Sequence, residues 1–155
     1  MKSFLLYFIL FTTFCFSQEA EHYKTKEFDV AIFPETYKEL LPEKRFTPTH
    51  ENITEAELAL RTKLEDLNYL LTHQSNSPVI HKNLNKYLRQ YFGYIDENGN
   101  RILIINCFWK NVDKMAKKLW LKDRITVRDG GSFYWNVKYN LDTGELFDLE
   151  VNGNA

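Results

Sequence analysis

The chain ends in two stretches in which apolar and polar residues alternate. In the first stretch every second residue is apolar, namely Phe133, Trp135, Val137, Tyr139 and Leu141. In the second stretch Phe147, Leu149 and Val151 alternate with acidic residues. A period of two is typical of strands that bury one face. The pattern therefore predicts a terminal β-hairpin over residues 132–151.

The turn of this hairpin sets its register. Asp142-Thr143-Gly144 can join the strands with the glycine in the left-handed conformation. This loop predicts three cross-strand pairs, which are Tyr139 with Phe147, Val137 with Leu149 and Lys138 with Asp148. A loop one residue longer or shorter would place apolar residues opposite charged ones, so the parity of the pattern selects this register.

Two earlier stretches repeat their apolar residues with a helical period. The first begins at Thr54, which has capping-box spacing to Glu57. Its apolar stripe consists of Ala56, Leu60, Leu64, Leu67 and Leu71. The second begins at Ser77-Pro78, an N-cap followed by proline at the first helical position. Its stripe consists of Ile80, Leu84, Tyr87, Leu88 and Tyr91. We therefore predict two amphipathic helices before the sheet.

A further hairpin is predicted over residues 91–109. Its turn contains Asn98-Gly99, a strong signal for a tight hairpin connection. The strand that follows carries Ile102 to Ile105 without a polar break, which is typical of a central strand covered on both faces. Apolar residues from Val112 to Trp120 recur at helical spacing and predict a third, short helix.

These segments together predict an α+β fold. Its antiparallel sheet has four to five strands, formed by hairpin 91–109, a short strand at 124–128 and the terminal hairpin 132–151, with two N-terminal helices packed on one face. Residues 18–50 contain prolines and no sustained period, so they are interpreted as an irregular N-terminal arm. Residues 51–155 then form a single α+β domain.

The first residues have the pattern of a signal peptide, predicted to span residues 1–17. Lys2 precedes the apolar segment Phe4–Phe14, and Cys15 and Ser17 are small residues before a cleavage position at Gln18. The alternative is a lipoprotein signal in which Cys15 carries the lipid anchor. The apolar run is shorter than the ~20 residues of a transmembrane helix. We therefore expect an exported protein, periplasmic or secreted, with no transmembrane helix in the mature chain.

Composition narrows the classes of partner. The formal net charge is −1, and acidic and basic residues are interspersed along the chain. Nucleic acids and anionic membranes are recognised by basic patches, so neither is indicated as a partner. Removal of residues 1–17 leaves Cys107 as the only cysteine, which rules out an internal disulfide in the mature chain.

No residue pattern of catalysis or metal binding is found in the sequence. Cys107 lies in a strand predicted to be central, where a cysteine is usually an inert, small apolar residue rather than a nucleophile. The four histidines lack the spacing of metal ligands. Asp129-Gly130-Gly131 is too short to cradle a phosphate and is read as a turn. We predict no catalytic residue, no metal site and no cofactor.

Five polar residues occur at positions that the pattern would bury or half bury. A binding hypothesis gathers them into the polar rim of a pocket over the sheet. They are Arg89, Asn106, Arg128, Tyr134 and Asn136. In the alternative interpretation Lys138 pairs with Asp148 across the hairpin and the other polar residues are solvated, since open antiparallel sheets commonly have one wet face.

Motifs spread over residues 89–153 resemble a group of small, uncharacterised secreted proteins of Gram-negative bacteria. The motifs are Arg89–Tyr94, Asn98-Gly99, Ile104–Phe108, Asp129–Gly131 and Val151–Gly153. This resemblance implies export and no particular activity. Separately, Tyr139–Glu145 is similar to the hairpin of PepSY-type domains, which are exported modules that bind or inhibit partners.

Three classes of function are consistent with these patterns, and one of them is a structural, envelope-attached role. The first is a non-enzymatic exported domain that binds an unknown protein or small molecule through its sheet face or its hairpin end. The alternative is a small periplasmic hydrolase, or another enzyme, with a cleft between the sheet and the helices.

Overall fold

The computed structural model describes residues 19–37, 42, 44–111 and 114–153. Its centre is a seven-stranded sheet. The strands are β1 (Glu21–Lys24), β2 (Asp29–Ile32), β3 (Arg45–Phe46), β4 (Tyr87–Ile95), β5 (Arg101–Trp109), β6 (Tyr134–Asn140) and β7 (Glu145–Val151). They follow the order β1-β2-β4-β5-β6-β7, and β3 pairs with β4 outside this path. The predicted signal peptide 1–17, with Cys15, lies outside the described residues.

The expected antiparallel sheet of four to five strands is wrong, because the sheet has seven strands and one parallel pair. The additional strands come from residues 21–46, for which the sequence pattern predicts an irregular arm. β2 runs parallel to β4 and is buried on both faces, with Val30, Ala31 and Ile32 at most 1% exposed. A strand covered on both faces reads as a short apolar run without alternation, so its period gives little signal.

The structure also corrects the expected pair of N-terminal helices. One long helix, α1, spans His50–Leu67 in the middle of the chain and begins four residues before the predicted start at Thr54. Thr49 is its N-cap and forms the capping box with Asn52. The predicted stripe is buried at Ala56, Leu60 and Leu64.

The second predicted helix is wrong. Residues Ile80–Lys82 and Leu84–Lys86 form single 3₁₀ turns, and Tyr87–Ile95 is strand β4. Tyr87 and Tyr91 fit a helical stripe and an alternating strand equally well. The segment is a strand because it pairs with β2 on one side and with β5 on the other. Such tertiary contacts commonly override local propensity. The short helix expected near residue 115 is present as α2 (Lys114–Leu119).

The terminal hairpin is present, but its predicted register holds only at the open end. Trp135 lies opposite Val151 as the parity argument requires, whereas Tyr139 lies opposite Leu146 and not opposite Phe147. A β-bulge at Asp148, whose φ is +49°, accounts for this shift of one residue. The Lys138–Asp148 ion pair forms across the bulge, with Nζ 2.8 Å from Oδ2.

Both faces of the sheet are covered, which corrects the expectation of helices on one face only. α1 packs on the face that carries Tyr91, Ile105 and Val137, here called the helix face. The other face carries Leu88, Phe92 and Phe108 and packs against Ala116 of α2 and the segment 120–127. We call this segment the strap and this side of the sheet the strap face. The strap has no strand over 124–127, so the predicted short strand at 124–128 is wrong.

Candidate binding site

Three of the five predicted site residues meet on the strap face. Asn106 of β5 pairs in register with Asn136 of β6, and Tyr134 precedes them on the same face. They line a cavity of about 70 Å³ beneath the strap. Sites for small molecules usually have volumes of about 300–1,000 Å³. The cavity is therefore far below the usual size for a small-molecule ligand.

The amide groups of this face bind the strap instead. Gln90 Nε2 donates to the carbonyl oxygens of Trp120 and Asp123 at 2.7 and 2.8 Å. Gln90 Oε1 accepts from the backbone N–H of Ile125 at 2.8 Å and from Asn106 Nδ2 at 2.9 Å. Asn106 Nδ2 also donates to the Ile125 carbonyl at 2.8 Å. These contacts give the strap the backbone partners that a strand would obtain from a neighbouring strand.

The other two predicted residues lie elsewhere. Arg89 pairs in register with Cys107 and therefore lies on the helix face, opposite to Asn106, where it is 1% exposed. Arg128 is exposed and does not belong to the residues that line the cavity under the strap. The five residues therefore do not converge on one pocket, and their binding of a ligand stays a prediction.

Arg89 belongs to a buried charged cluster under α1. Its Nε is 3.4 Å from Glu57 Oε1, and its Nη2 donates to the Leu84 carbonyl at 2.8 Å. Tyr91 donates its hydroxyl to Glu57 Oε1 at 2.8 Å. Burial raises the pKa of Glu57 above its ordinary value, while the charge of Arg89 and the hydrogen bond from Tyr91 oppose this shift. The Nε and Nη1 groups of Arg89 are buried without a hydrogen-bond partner among the described residues.

Cys107 is buried in the same region, and its thiol is not activated. Burial raises the pKa of Cys107 further than the charge of Arg89 lowers it. A nucleophilic cysteine requires the thiolate, which a raised pKa disfavours. The geometry supports the interpretation of Cys107 as a small apolar residue of the core.

The described part of the chain was searched for metal-binding groups and for membrane-spanning helices. Within residues 19–37, 42, 44–111 and 114–153, His, Cys, Asp and Glu side chains form no group of three or more that could hold a metal ion. Among the same residues, none of the helices combines the length and the apolar character needed to cross a bilayer.

A surface feature that the sequence reasoning missed is the loop directly after α1. Tyr69, Leu70 and Leu71 follow one another there and are 75%, 69% and 43% exposed. Leu71 and His73 have left-handed backbones, with φ of +49° and +56°. We call residues 69–73 the apical loop. Left-handed conformations of residues other than glycine are costly, and they cluster at functional sites.

A buried pair of amides fixes the base of the apical loop. Asn68 Nδ2 donates to Gln74 Oε1 at 3.0 Å, and Gln74 Nε2 donates to Asn68 Oδ1 at 2.6 Å. Gln74 Oε1 also accepts from the backbone N–H of Ile80 at 2.9 Å. The loop is therefore held at both ends, so its apolar side chains are presented on a defined backbone.

A pocket of about 520 Å³ lies on one side of this loop. Its lining includes Glu65, Asp66, Tyr69, Leu71, His81 and Lys82. His81 Nδ1 lies 3.0 Å from Asn68 Nδ2, which places the other ring nitrogen toward Glu65 Oε1 at 3.6 Å. The pocket thus combines an apolar wall with charged groups of both signs, an arrangement suited to recognition.

The sequence contained one signal for this feature. Tyr69, Leu70 and Leu71 are three consecutive apolar residues, whereas an amphipathic helix buries only one stripe. The stripe interpretation placed Leu71 in the core, although α1 already ends at Leu67. Three consecutive apolar residues at the end of a helix cannot all lie on its buried stripe, so the run indicated that some of these side chains are exposed.

Comparison with known proteins gives no family for the chain. No protein-family model, no curated protein and no solved structure matches it.

Proposed function

We propose that this chain is an exported, non-enzymatic binding domain that docks a partner protein at the apical loop. The observation that carries the proposal is the exposure of Tyr69, Leu70 and Leu71 on a loop fixed by buried hydrogen bonds. Apolar residues clustered on a surface next to polar groups are characteristic of interaction sites. Tyrosine is moreover enriched at protein interfaces.

The energetics of the loop support a functional origin of its conformation. A left-handed residue other than glycine costs about 1–3 kcal/mol, and this loop contains two of them, Leu71 and His73. The conformation exposes leucine side chains to water, so it adds a hydrophobic cost to the backbone strain. When a partner covers the loop the leucines leave water, so the hydrophobic cost is recovered, and no further ordering of the backbone is needed because the loop is already in place.

The enzyme hypothesis receives less support from the geometry. A hydrolase with a cleft between sheet and helix needs accessible reactive groups in that space. Among the described residues, the reactive groups buried in that space include Glu57 of α1 and Arg89 and Cys107 of the sheet, each at most 1% exposed. The alternative interface at the sheet face is also less favoured, since α1 and the strap cover the two faces.

A photo-crosslinking experiment tests the docking site. A photoreactive amino acid replaces Leu70 in the full chain, and a second variant carries it at Leu58, an apolar residue of α1 that is 55% exposed. We expect a discrete cross-linked protein from position 70 in intact cells and none from position 58. Tyr69→Ser should abolish the cross-link. Equal cross-linking from both positions, or none from position 70, contradicts the proposal.

Export is proposed from the segment Lys2–Ser17 alone. Expression of the full chain in a Gram-negative host, followed by fractionation and N-terminal sequencing, tests it. We expect a periplasmic or secreted chain that begins at Gln18. A mature chain that begins with an acylated Cys15 would indicate the lipoprotein alternative, and an uncleaved cytoplasmic chain would contradict export.

A further inference from the structure

The two edges of the sheet differ in what they offer to another chain. At the β1 edge, side chains are engaged within the protein: His22 lies 2.7 Å from Asp29, and Glu21 lies 2.7 Å from His50. β7 forms the other edge, and its outer side has no partner strand among the described residues. An edge strand with free backbone N–H and C=O groups can pair with an added strand.

An apolar groove runs beside the last residues of β7. It has a volume of about 180 Å³ and lies between the end of α1, the apical loop and the strand. Its apolar lining consists of Leu67, Leu70, Leu71, Leu149 and Val151. The groove thus connects the exposed loop to the sheet edge. Strand addition uses this combination, because backbone hydrogen bonds hold the added strand while alternate side chains enter pockets.

The opposite face of the same edge is acidic. Asp148 and Glu150 alternate with the groove residues, and their carboxylates accept hydrogen bonds from Lys138 and Asn136 of β6. Asp148 has a basic partner, since Lys138 Nζ lies 2.8 Å from it. Glu150 has a neutral one: among the described residues, the only side chain that donates a hydrogen bond to its carboxylate is the amide of Asn136, at 3.2 Å. A strand laid beside Glu150 would gain from a basic residue at the facing position.

We propose that the β7 edge accepts an extended segment of the partner protein as an additional strand, whose residues alternate between apolar and basic. This inference rests on the proposed docking function and specifies the partner's chemistry. Apolar side chains of the segment enter the groove at Leu149 and Val151. Its basic side chains face Glu150 on the strap side of the sheet.

The charge pattern also selects against a second copy of the chain. Pairing of β7 with another β7 would bring the acidic residues Glu145, Asp148 and Glu150 of the two copies together, and like charges across a strand pair are destabilising. The bulge at Asp148 divides the edge into two short regular stretches, one before it and one after it. Acidic residues and bulges also protect edges against aggregation. A purely protective edge would bind no added strand, so an experiment distinguishes the two roles.

The test uses three soluble peptides with capped ends. The first alternates valine and lysine, the second alternates valine and glutamate, and the third is the valine–lysine peptide with N-methyl groups on alternate amides. Binding to the full chain is measured by fluorescence anisotropy, and hydrogen exchange reports on the amides of β7. We expect the first peptide to bind and to protect β7, and the other two to bind at least about tenfold more weakly.

A pair of variants locates the site. Glu150→Lys should weaken the valine–lysine peptide about tenfold through charge repulsion. Glu97→Lys makes the same change in the exposed turn between β4 and β5 and should leave binding unchanged. Equal binding by these two variants, equal binding of the N-methylated peptide, or no binding up to about millimolar peptide overturns strand addition. In those cases a persistent cross-link from position 70 leaves the docking function standing, whereas loss of that cross-link overturns the docking function itself.

Discussion

The two faces of the sheet bury polar side chains in different ways. On the helix face Glu57, Arg89 and Tyr91 form a charged cluster in which Nε and Nη1 of Arg89 find no hydrogen-bond partner in the part of the chain that the structure describes. On the strap face Gln90 and Asn106 form a neutral amide cluster that bonds the strap backbone. A charged group loses far more solvation on burial than an amide does. Burial of the polar groups on the helix face therefore costs more free energy. The amides on the strap face have a larger share of their hydrogen bonds formed.

The difference follows from what packs on each face. α1 satisfies its own backbone hydrogen bonds, so the helix face needs only to bury side chains against it. The strap has irregular backbone from 124 to 127 and needs partners for its N–H and C=O groups. Amide side chains can donate and accept at once, so they suit this purpose. The charged cluster therefore affects the stability of the packing between the sheet and α1. The amide cluster determines where the strap lies on the sheet.

The largest expected effect comes from breaking the charged cluster. Arg89→Met leaves Glu57 buried without its cation, and loss of one partner of a buried pair typically costs about 3–5 kcal/mol. We expect a loss of this size in the free energy of unfolding, measured by urea denaturation. Arg61→Met, which removes the surface partner of Glu27, is the matched control and should have a much smaller effect. Equal losses in the two variants would contradict a special role of the buried cluster.

The double variant Glu57→Met with Arg89→Met sharpens this result. Replacement of a whole buried ion pair by apolar residues is often neutral or stabilising. We expect the double variant to be more stable than Arg89→Met alone. Additive losses would show that Arg89 contributes through its packing and its bond to Leu84 rather than through Glu57.

A smaller and more local effect is expected from the amide cluster. Gln90→Leu removes four hydrogen bonds to the strap and to Asn106. Unsatisfied buried polar groups cost about 1–3 kcal/mol, so we expect a loss of about 2 kcal/mol. Trypsin should also cleave the strap at Lys122 and Arg124 before the rest of the chain. Asn136→Leu is the control, and strap cleavage at the same rate in both variants would contradict the role of Gln90.

The pH dependence of stability separates the two clusters further, because only the charged one titrates. Burial raises the pKa of Glu57 in the folded chain. The folded state then binds more protons than the unfolded state between the two pKa values, so stability falls as the pH rises through this window. The stabilising contribution of protonated Glu57 is fully present below the ordinary pKa of 4.5, and it is lost as the pH rises through the raised pKa of the folded state. Glu57→Gln should remove this slope, and Gln90→Leu should retain it.

The elements predictable from the sequence were those fixed by local pattern. Strand β5 was found because an unbroken apolar run follows the Asn98-Gly99 turn, and the short helix α2 was found because its apolar residues recur at helical spacing. The predicted hairpin 91–109 is present, but the first residues of β4 were misread as helix because Tyr87 and Tyr91 satisfy two periods at once. β2 was missed as a parallel strand, since its pairing with β4 links segments far apart in the chain.

The same distinction applies to the predicted site. Asn106 and Asn136 were brought together correctly because neighbouring strands place facing residues on one side of the sheet. Arg89 was assigned to the same group, but its strand parity places it with Cys107 on the helix face. The apical loop depends on where α1 ends and on the Asn68–Gln74 pair, which residue spacing alone does not specify.

The smallest expected effect concerns the strain in the apical loop. Leu71→Gly relieves a left-handed backbone but increases the entropy of the unfolded chain, so we expect a net stabilisation below about 1 kcal/mol. Leu70→Gly is the matched control, because Leu70 has a negative φ and its substitution relieves no strain, so that variant should be destabilised.

Both variants should weaken the cross-link from a photoreactive residue at position 69, since both remove an apolar contact. Stabilisation together with lost docking would show that the strain at Leu71 is retained for binding, whereas destabilisation by Leu71→Gly would show that its side chain supports the fold through the contacts beneath it.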